Sequence, residues 1–395
     1  MTFQSPPAFD LAVGFDPLFE VLDGVLTFPL IVISCGVLPI SRPCPYRLHM
    51  RAARLNEFTH DMANGLSIED VSRPAASASD DVVIEIDGAG WCQTDNHIIE
   101  GMWEPYVGKP LPMTLGHENA GTVQAVGDEV TVVSPGDQVI CHPVQTCGTC
   151  RPCRQGETMY CENSAFNGLT VDGGFAEEMI TNERAVIPLP DGVDPTEIAP
   201  HADAGITAYH AAKKAVDELN PGDAVVAIGI GGLGHIGLQC VDAMSAADIV
   251  AVDIKESARN LAEDLGADVT VDPTSEDVGE EVEALTDGAG AKQVLDFVGS
   301  DETTAMGPEI CAAGGDHHVI GYGGHVHEPA QAFVDGEFAY RGTLVGRYAE
   351  LQELVALVER GDVDLHTSRY DLEDVNRVAE MLENREIDGR AVITP

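Results

Sequence analysis

Short apolar runs alternate with stretches of helical periodicity from Pro221 onward. Runs of this length without a polar face are typical of strands that are buried on both sides in a parallel sheet. The pattern predicts strands at AVVAI (224–228), IVAVD (249–253), VTV (269–271), VLDFV (294–298), HVIGY (318–322) and TLVG (343–346). Together these runs predict an α/β domain built on a doubly wound parallel sheet.

A glycine-rich turn, GIGGLG, follows the first of these runs directly. The candidate cofactor-binding residues of this turn are Gly229, Gly231, Gly232, Leu233 and Gly234. A strand before the turn, a helical pattern after it and Asp253 at the end of the second strand are the context that a dinucleotide-binding turn requires. The glycines allow the backbone to approach a pyrophosphate, and Asp253 can accept hydrogen bonds from both ribose hydroxyls. The alternative is a turn that needs glycine only for tight packing.

The composition is strongly acidic. The 395 residues include 66 acidic and 21 basic side chains, only five of them lysines, and the formal net charge is -45. Such a surface repels itself in dilute buffer, whereas molar salt shortens the screening length to roughly 3 Å. We therefore interpret the chain as a halophilic protein, because its 44% hydrophobic content and periodic apolar runs argue against charge-driven disorder. Nucleic acid is not expected as a partner, since no basic patch could offset this field.

The first 49 residues differ from the rest of the chain. Their one apolar run, 24–40, is broken by two prolines and is shorter than the roughly 20 residues that a membrane helix needs. A secretory signal would require a positively charged start, but no Lys or Arg precedes Arg42. We expect a native start at Met50, where MRAARLNEF predicts a first strand; the alternatives for 1–49 are an ordered extra segment or a weak membrane contact. The expected compartment is the cytoplasm, with no membrane partner.

Four cysteines lie within one short loop, CGTCRPCRQGETMYC. They are Cys147, Cys150, Cys153 and Cys161. Disulfides are disfavoured in a reducing cytoplasm. Four thiolates at this spacing can surround a tetrahedral zinc ion and leave no position open for a substrate, so the zinc would be structural. An iron–sulfur cluster is the competing interpretation.

Two further stretches contain residues typical of a catalytic site. WCQTDNH (91–97) contributes Cys92, Thr94, Asp95 and His97, and GHEN (116–119) contributes His117 and Glu118. Taken singly, each residue is ambiguous, because a lone cysteine is usually a small buried apolar side chain and a lone histidine is usually structural.

With these stretches, the four-cysteine loop and the glycine turn in this order, the sequence resembles the zinc-dependent medium-chain alcohol dehydrogenases. The resemblance covers nearly everything from Met50 to Pro395. It implies that Cys92 and His117 bind a catalytic zinc and that Asp95 orients the His117 ring. It also implies that Glu118 lies behind the metal, and that Thr94 and His97 relay the alcohol proton to water.

The third zinc ligand departs from many members of that family. Where they have a second cysteine, the stretch APHADAGITAY (199–209) has Asp203. Thiolate, imidazole and carboxylate around Zn²⁺ still sum to zero charge, and the resemblance is to a branch that includes secondary-alcohol enzymes. By the same resemblance Thr207 would touch the nicotinamide, and Arg347, offset by one position, would reach the pyrophosphate. The alternative for Asp203 is a helix N-cap.

The resemblance implies two domains. A GroES-like β-rich catalytic domain would span 50–200 and be completed by 345–395, with a Rossmann domain at 201–344. The implied function is NAD-dependent oxidation of a small primary or secondary alcohol, or reduction of the matching carbonyl, by a dimer or tetramer. Residues that would either line an apolar substrate pocket or belong to the core are Trp103, Phe166, Tyr322 and Leu344. The alternatives are a zinc polyol or sugar dehydrogenase, a zinc-free quinone reductase of the same superfamily, or a non-catalytic dinucleotide-binding protein.

Overall fold

The computed structural model describes residues 48–104 and 111–395. The extension that we interpreted as residues 1–49 lies outside the described residues, except for its last two residues, 48 and 49. The strand predicted from Met50 is present and begins one residue earlier, at His49. Among the described residues, no helix has the length and apolar character needed to cross a membrane.

The strands, in chain order, are β1 (His49–Leu55), β2 (Ser67–Ser72), β3 (Asp81–Gly90), β4 (Met113–Thr114), β5 (Glu118–Val126), β6 (Gln138–Cys141), β7 (Val144–Gln145), β8 (Ala165–Phe166), β9 (Glu178–Asn182), β10 (Val186–Pro188), β11 (Ala224–Ile228), β12 (Asp248–Val252), β13 (Val269–Val271), β14 (Ala291–Asp296), β15 (Cys311–Val319), β16 (Ala339–Gly342), β17 (Thr367–Asp371) and β18 (Arg390–Thr394). The helices are α1 (Gln93–Ile99), α2 (Arg151–Arg154), α3 (Pro195–Ile198), α4 (Ala204–Val216), α5 (Gly234–Met244), α6 (Glu256–Asp264), α7 (Val278–Leu285), α8 (Asp301–Ile310), α9 (Ala330–Gly336), α10 (Tyr348–Arg360) and α11 (Val375–Glu383). Short 3-10 helices span Met62–Asn64, Thr158–Tyr160, Glu183–Ala185, Ala199–Ala202 and Leu372–Asp374.

The predicted parallel sheet is confirmed. Its described strands lie in the order β13-β12-β11-β14-β15-β16, and every neighbouring pair is parallel. The chain therefore winds outward from β11 in one direction and then from β14 in the other. Ligands of such sheets bind beyond the carboxyl ends of the strands where the direction reverses, which here is between β11 and β14.

Two predicted strands are displaced at the outer part of this sheet. HVIGY lies only partly in β15, which begins earlier at Cys311, and TLVG is not a strand. The sixth strand is AYRG, β16, just before it. Because β16 lies at the edge of the sheet that the described residues form, it need not be a continuous apolar run. Val345, with φ +47°, then takes the chain out of extended geometry.

The mainly antiparallel part of the fold is built from both ends of the described chain. One sheet has the order β10-β6-β5-β3-β18-β17, with β9 also paired to β3, and a smaller sheet has the order β2-β1-β4. The last strand, β18, pairs with β3 at Val392 and Gly90. The core of this sheet includes Trp91 stacked on Phe175, with ring centroids 4.7 Å apart.

Apolar clusters cover both faces of the parallel sheet. The larger cluster joins α4 and α5 to the sheet and also includes Leu351, Leu354 and Val355 of α10. A second cluster packs Val278 and Val282 of α7 against the opposite face. Thus α10 packs with the parallel sheet, whereas β17 and β18, themselves a parallel pair, join the mainly antiparallel one through β3.

Candidate active site

The start of α1 positions two of the predicted site residues. Cys92 is the N-cap residue of this helix, and its backbone N–H donates to Asp95 Oδ2 over 3.0 Å. Asp95 is fully buried, with 0% of its surface exposed. The other carboxylate oxygen, Oδ1, lies 3.4 Å from His117 Nδ1. The helix start therefore holds Cys92 and places a buried negative charge behind the His117 ring.

His117, next to the first residue of β5, has a carboxylate on each side of its ring. Its Nε2 lies 3.4 Å from Asp203 Oδ2, opposite the Asp95 contact. Burial by itself would lower the pKa of His117, but the charge of Asp95 and the carboxylate of Asp203 hold that pKa well above its usual value. This point in the protein therefore favours a positive charge.

Asp203 occupies the N-cap position of α4 but does not act as a cap. Its carboxylate makes no capping hydrogen bond to the helix. The donor atoms of Cys92, His117, Glu118 and Asp203 instead lie within 4.8 Å of one another. The expected third ligand position is therefore brought together with the other two.

Glu118 differs from the other members of this cluster, because both of its carboxylate oxygens already have partners. Oε1 accepts from the backbone N–H of Ala204 over 3.1 Å, and Oε2 is ion-paired with Arg390. These bonds hold the Glu118 carboxylate in place, as the expected position behind a metal requires.

Arg390 is a site residue that the sequence interpretation missed. It is the first residue of β18, is only 4% exposed, and lies against the glycine turn: a Cβ added at Gly232 would be 2.8 Å from its Nη1. It thus connects Glu118 to the dinucleotide turn. A lone arginine before an apolar strand carries no local signal of this role.

Thr94 is hydrogen-bonded to a tyrosine of the parallel-sheet region. Thr94 Oγ1 lies 2.8 Å from Tyr322 Oη. The Tyr322 ring in turn lies 5.6 Å from the ring of His97 and 6.0 Å, edge to face, from that of Trp103. Leu344, the other predicted pocket residue of this region, is 57% exposed.

His97 has a ring nitrogen that is unpaired within the described part of the chain. Its Nδ1 is buried and has no hydrogen-bond partner among the described residues. Burial lowers the pKa of His97 below its usual value, so its imidazole is neutral near pH 7. Phe166, the remaining predicted pocket residue, packs 6.1 Å from the ring of His117.

The four cysteines of the loop converge. Their donor atoms lie within 4.8 Å of one another, and Cys161 Sγ lies 3.6 Å from Cys147 Sγ and 3.9 Å from Cys150 Sγ. A disulfide would require about 2.05 Å. Tetrahedral coordination at a Zn–S distance of about 2.3 Å places the sulfurs about 3.8 Å apart, which agrees with these separations.

The backbone supports the thiolates of this loop. The N–H of Cys150 points at Cys147 Sγ over 3.4 Å, and the N–H of Cys147 points at Cys161 Sγ over 3.3 Å. The guanidinium of Arg184 lies over the loop, with Cζ 2.5 Å from where a Cβ would stand on Gly148. These groups offset part of the negative charge of four thiolates.

The glycine turn has the geometry of a phosphate-binding turn. Gly229 has φ +86°, and a Cβ at Gly234 would lie 1.9 Å from the Gly229 carbonyl oxygen, so neither position accepts a larger residue. A Cβ at Gly231 would meet nothing within 4 Å, so this part of the turn faces open space. Asp253 Oδ2 accepts from the N–H of Ile230 over 2.8 Å, which holds the carboxylate beside the turn.

The remaining expected cofactor residues lie in different surroundings. Thr207 is a buried residue of α4, one turn from Asp203. The Arg347 guanidinium is paired with Glu157 of the cysteine loop, with Nη2 2.8 Å from Oε1. Arg347 therefore connects that loop to the start of α10.

Comparisons with known proteins agree with this geometry. Residues 78–191 match the family described as "Alcohol dehydrogenase GroES-like domain", and residues 232–360 match "Zinc-binding dehydrogenase". The chain belongs to the zinc-dependent medium-chain alcohol dehydrogenase family. The resemblance inferred from the motifs is thus confirmed.

Relatives in this family align with this chain over almost their whole length. An NAD-dependent alcohol dehydrogenase of Sulfurisphaera tokodaii is 34% identical over 354 residues, which are 88% of this chain and 100% of the relative. A D-arabinose 1-dehydrogenase (NADP(+)) of Saccharolobus solfataricus is 34% identical over 350 residues, 87% of this chain and 97% of the relative. The crystal structure of the alcohol dehydrogenase from Aeropyrum pernix matches with a TM-score of 0.83 at 45% identity, covering 87% of this chain and 100% of that one.

Proposed function

We propose that this enzyme transfers hydride reversibly between NAD and a small primary or secondary alcohol, with the aldehyde or ketone as product. The observation that carries the proposal is the convergence of Cys92, His117 and Asp203 from three separate segments of the chain. They lie in the same site as Thr94 and His97, which can handle a proton. A protein that only bound a dinucleotide would need neither feature.

The three converging residues fit a catalytic zinc ion. His117 Nδ1 lies 3.4 Å from Asp95 Oδ1 and Nε2 lies 3.4 Å from Asp203 Oδ2, so the carboxylates on both sides of the ring favour a positive charge here, either a proton on the ring or a metal ion beside Nε2. A thiolate, a neutral imidazole and a carboxylate balance the charge of Zn²⁺ and leave a fourth position open. Glu118 remains outside this set because its oxygens are bonded to Ala204 and Arg390.

We assign a second, structural zinc to Cys147, Cys150, Cys153 and Cys161. The sulfur separations of 3.6 and 3.9 Å support one ion instead of an iron–sulfur cluster, in which cysteines on different irons lie further apart. The loop is attached to α10 through the pair between Glu157 and Arg347. Its role would be to brace the fold.

NAD is the proposed cofactor. The open face at Gly231 leaves room for a pyrophosphate near the first turn of α5, and the buried guanidinium of Arg390 lies against the same turn. Asp253 would accept hydrogen bonds from the ribose hydroxyls and repel the extra phosphate of NADP. Arg347, as part of the same proposed site, would exchange its partner Glu157 for the pyrophosphate.

When bound, zinc supplies a Lewis acid that favours loss of the alcohol proton, and NAD supplies the hydride acceptor. The protein side chains handle the proton. Thr94 Oγ1, released from Tyr322, accepts the hydrogen bond of the substrate hydroxyl. His97, neutral because burial lowers its pKa, takes up the proton and releases it to water. Asp95 meanwhile keeps the His117 ring in its orientation.

A zinc sugar dehydrogenase is the second candidate. It is favoured by the 34% identity to the D-arabinose 1-dehydrogenase. The hydroxyls of Thr94 and Tyr322, which lie at the site, could bind a polyhydroxylated substrate as well as a simple alcohol.

The experiment is a substrate scan on enzyme of measured zinc content. Small alcohols and aldoses are compared by kcat/KM with NAD and with NADP, at molar KCl. We expect two zinc ions per chain and the highest kcat/KM with NAD and a small alcohol. Preference for an aldose would establish the second candidate, and zinc-free enzyme with full quinone reduction would overturn both.

We also propose that the enzyme is a halophilic, cytoplasmic homo-oligomer with a catalytic and a dinucleotide-binding domain. The charge of -45 supports the salt requirement. Dilution from multimolar KCl into dilute buffer should unfold the chain. A circular dichroism spectrum and melting temperature that do not change on dilution would refute the halophile interpretation.

A further inference from the structure

A third group of metal-binding side chains lies outside the active site and the cysteine loop. In the described part of the chain, Asp301, His325 and His327 have donor atoms within 4.8 Å of one another. The three residues are exposed, whereas the residues of the other two groups are buried or half-buried. The interpretation of the sequence assigned no role to any of them.

The fold brings these residues together through hydrogen bonds to α8. Asp301 is the first residue of α8, and its Oδ1 accepts from the backbone N–H of His325 over 2.6 Å. Thr304, one turn further along α8, donates its hydroxyl to the His325 carbonyl over 2.7 Å. The loop after β15 is therefore held with His325 beside the Asp301 carboxylate.

The two imidazoles lie next to each other beside Asp301. The rings of His325 and His327 are stacked, with centroids 5.3 Å apart and an angle of 29° between their planes. His325 Nδ1 lies 3.2 Å from Asp301 Oδ1. A surface hydrogen bond explains the contact between His325 and Asp301, and ring stacking explains the position of His327, but neither requires a ring nitrogen of His327 to lie within 4.8 Å of the Asp301 carboxylate.

We propose that Asp301, His325 and His327 bind a divalent transition-metal ion such as Zn²⁺, with water in the remaining coordination positions. Two imidazole nitrogens and one carboxylate oxygen suit zinc and its neighbours in the first transition row, whereas Mg²⁺ and Ca²⁺ prefer oxygen ligands alone. The ligands neutralise one of the two charges, and the strongly acidic surface favours the remaining positive charge.

Metal binding here would affect the active site through the loop. Tyr322, which bonds to Thr94, lies three residues before His325. An ion joining His325 and His327 to α8 would restrict the loop that carries Tyr322. The site itself does not depend on the proposed alcohol dehydrogenase activity, because its ligands are separate from both proposed zinc sites.

Metal stoichiometry tests the proposal. The holoenzyme, first saturated with zinc and freed of loosely bound metal, is titrated with Zn²⁺ by calorimetry in molar KCl. We compare the wild-type chain with the double variant His325→Gln/His327→Gln. Because both histidines are exposed, the double variant should fold normally. We expect the wild type to take up one more zinc ion per chain than the double variant, regardless of the total number of ions that either protein binds.

Two further variants sharpen the test. Asp301→Asn keeps an oxygen for the His325 N–H but loses the charge, so its Kd should rise at least about tenfold. His60→Gln removes an exposed histidine that faces one carboxylate, Glu100, at 3.8 Å, and should bind like the wild type. The proposal would be overturned if the wild type and the double variant took up the same number of zinc ions. It would also be overturned if His60→Gln lost as much zinc uptake as the double variant does.

Discussion

Asp203 Oδ2 lies 3.4 Å from His117 Nε2, although Asp203 occupies the N-cap position of α4, where its carboxylate would ordinarily bond to the helix. The side chain forgoes that bond. Its geometry therefore favours a metal ligand over a helix cap. This relationship can be tested directly.

Asp203→Asn should separate the two interpretations. The amide keeps the size of the side chain but removes the charge that balances zinc, so zinc content should fall by one ion per chain. Single-turnover hydride transfer should fall by orders of magnitude with the melting temperature nearly unchanged. Asp277→Asn is the control, because Asp277 caps α7 by accepting from the N–H of Glu280 over 3.1 Å. If Asp203→Asn kept both zincs and normal turnover, Glu118 would be the next candidate ligand.

Cys150→Ser should act on stability before chemistry. It opens the four-thiolate site, so the melting temperature or the assembly of the protein should be affected first. Activity per folded molecule should remain, as measured by hydride transfer normalised to the folded fraction. Cys311→Ser, outside the cysteine loop, should retain all of the zinc. Loss of turnover in a fully folded Cys150→Ser enzyme would contradict a purely structural role.

Arg390→Met should destabilise the protein by about 3–5 kcal/mol, because it leaves the Glu118 carboxylate buried without its cation. Denaturant unfolding at constant KCl measures the change. The double variant Glu118→Gln/Arg390→Met should lose less than the sum of the single changes. Arg369→Met is the control: Arg369 is half exposed in its pair with Glu197, so its loss should cost less than about 1 kcal/mol. Additive changes at Glu118 and Arg390 would argue against their coupling.

Asp253→Ser should narrow the preference for NAD over NADP. The change removes the repulsion of the ribose phosphate and leaves a hydroxyl donor. The ratio of kcat/KM for the two cofactors is the measurement. Asp268→Ser is a suitable control, because Asp268 also accepts from a strand N–H, that of Ile249 over 2.8 Å, but lies away from the turn. A wild-type enzyme that preferred NADP would show that Lys255 or another cation overrides Asp253.

Stability should fall as pH drops below about 6.5, the pKa of histidine in an unfolded chain. Burial lowers the pKa of His201 to about 3, and those of His235 and His318 to about 4. At pH values between the folded and the unfolded pKa, the unfolded chain binds more protons than the folded one. The free energy of unfolding therefore rises with pH, by up to about 1.4 kcal/mol per pH unit for each histidine.

The measurement is urea unfolding between pH 5 and 6.5. His318→Gln should reduce the slope by the equivalent of up to one proton, because it removes one of the titrating imidazoles. Glutamine retains a donor for Gln293, which His318 Nε2 contacts at 2.8 Å, so the variant should still fold. His60→Gln, with a side chain 85% exposed, should leave the slope unchanged. A flat profile in the wild type would show that these histidines are protonated in the native state.

The sequence alone determined the features whose parts are close together in the chain. The four cysteines lie within 15 residues, and the glycine turn stands directly between an apolar run and a helical pattern. The central strands of the parallel sheet were predictable for a related reason: burial on both faces requires continuous apolar runs. The edge strand β16 is under no such requirement, and its position was not predicted.

Only the tertiary structure decided which distant residues meet. Glu118 and Arg390 are 272 residues apart, and Thr94 and Tyr322 are 228 apart. No periodicity or spacing connects such pairs, because their contact depends on how β18 joins β3 and how the loop after β15 approaches α1. The surroundings of Arg347 and of the Asp203 carboxylate were likewise set by neighbours remote in the chain. A charged side chain takes its role from the charges that packing places around it, and that packing is long-range.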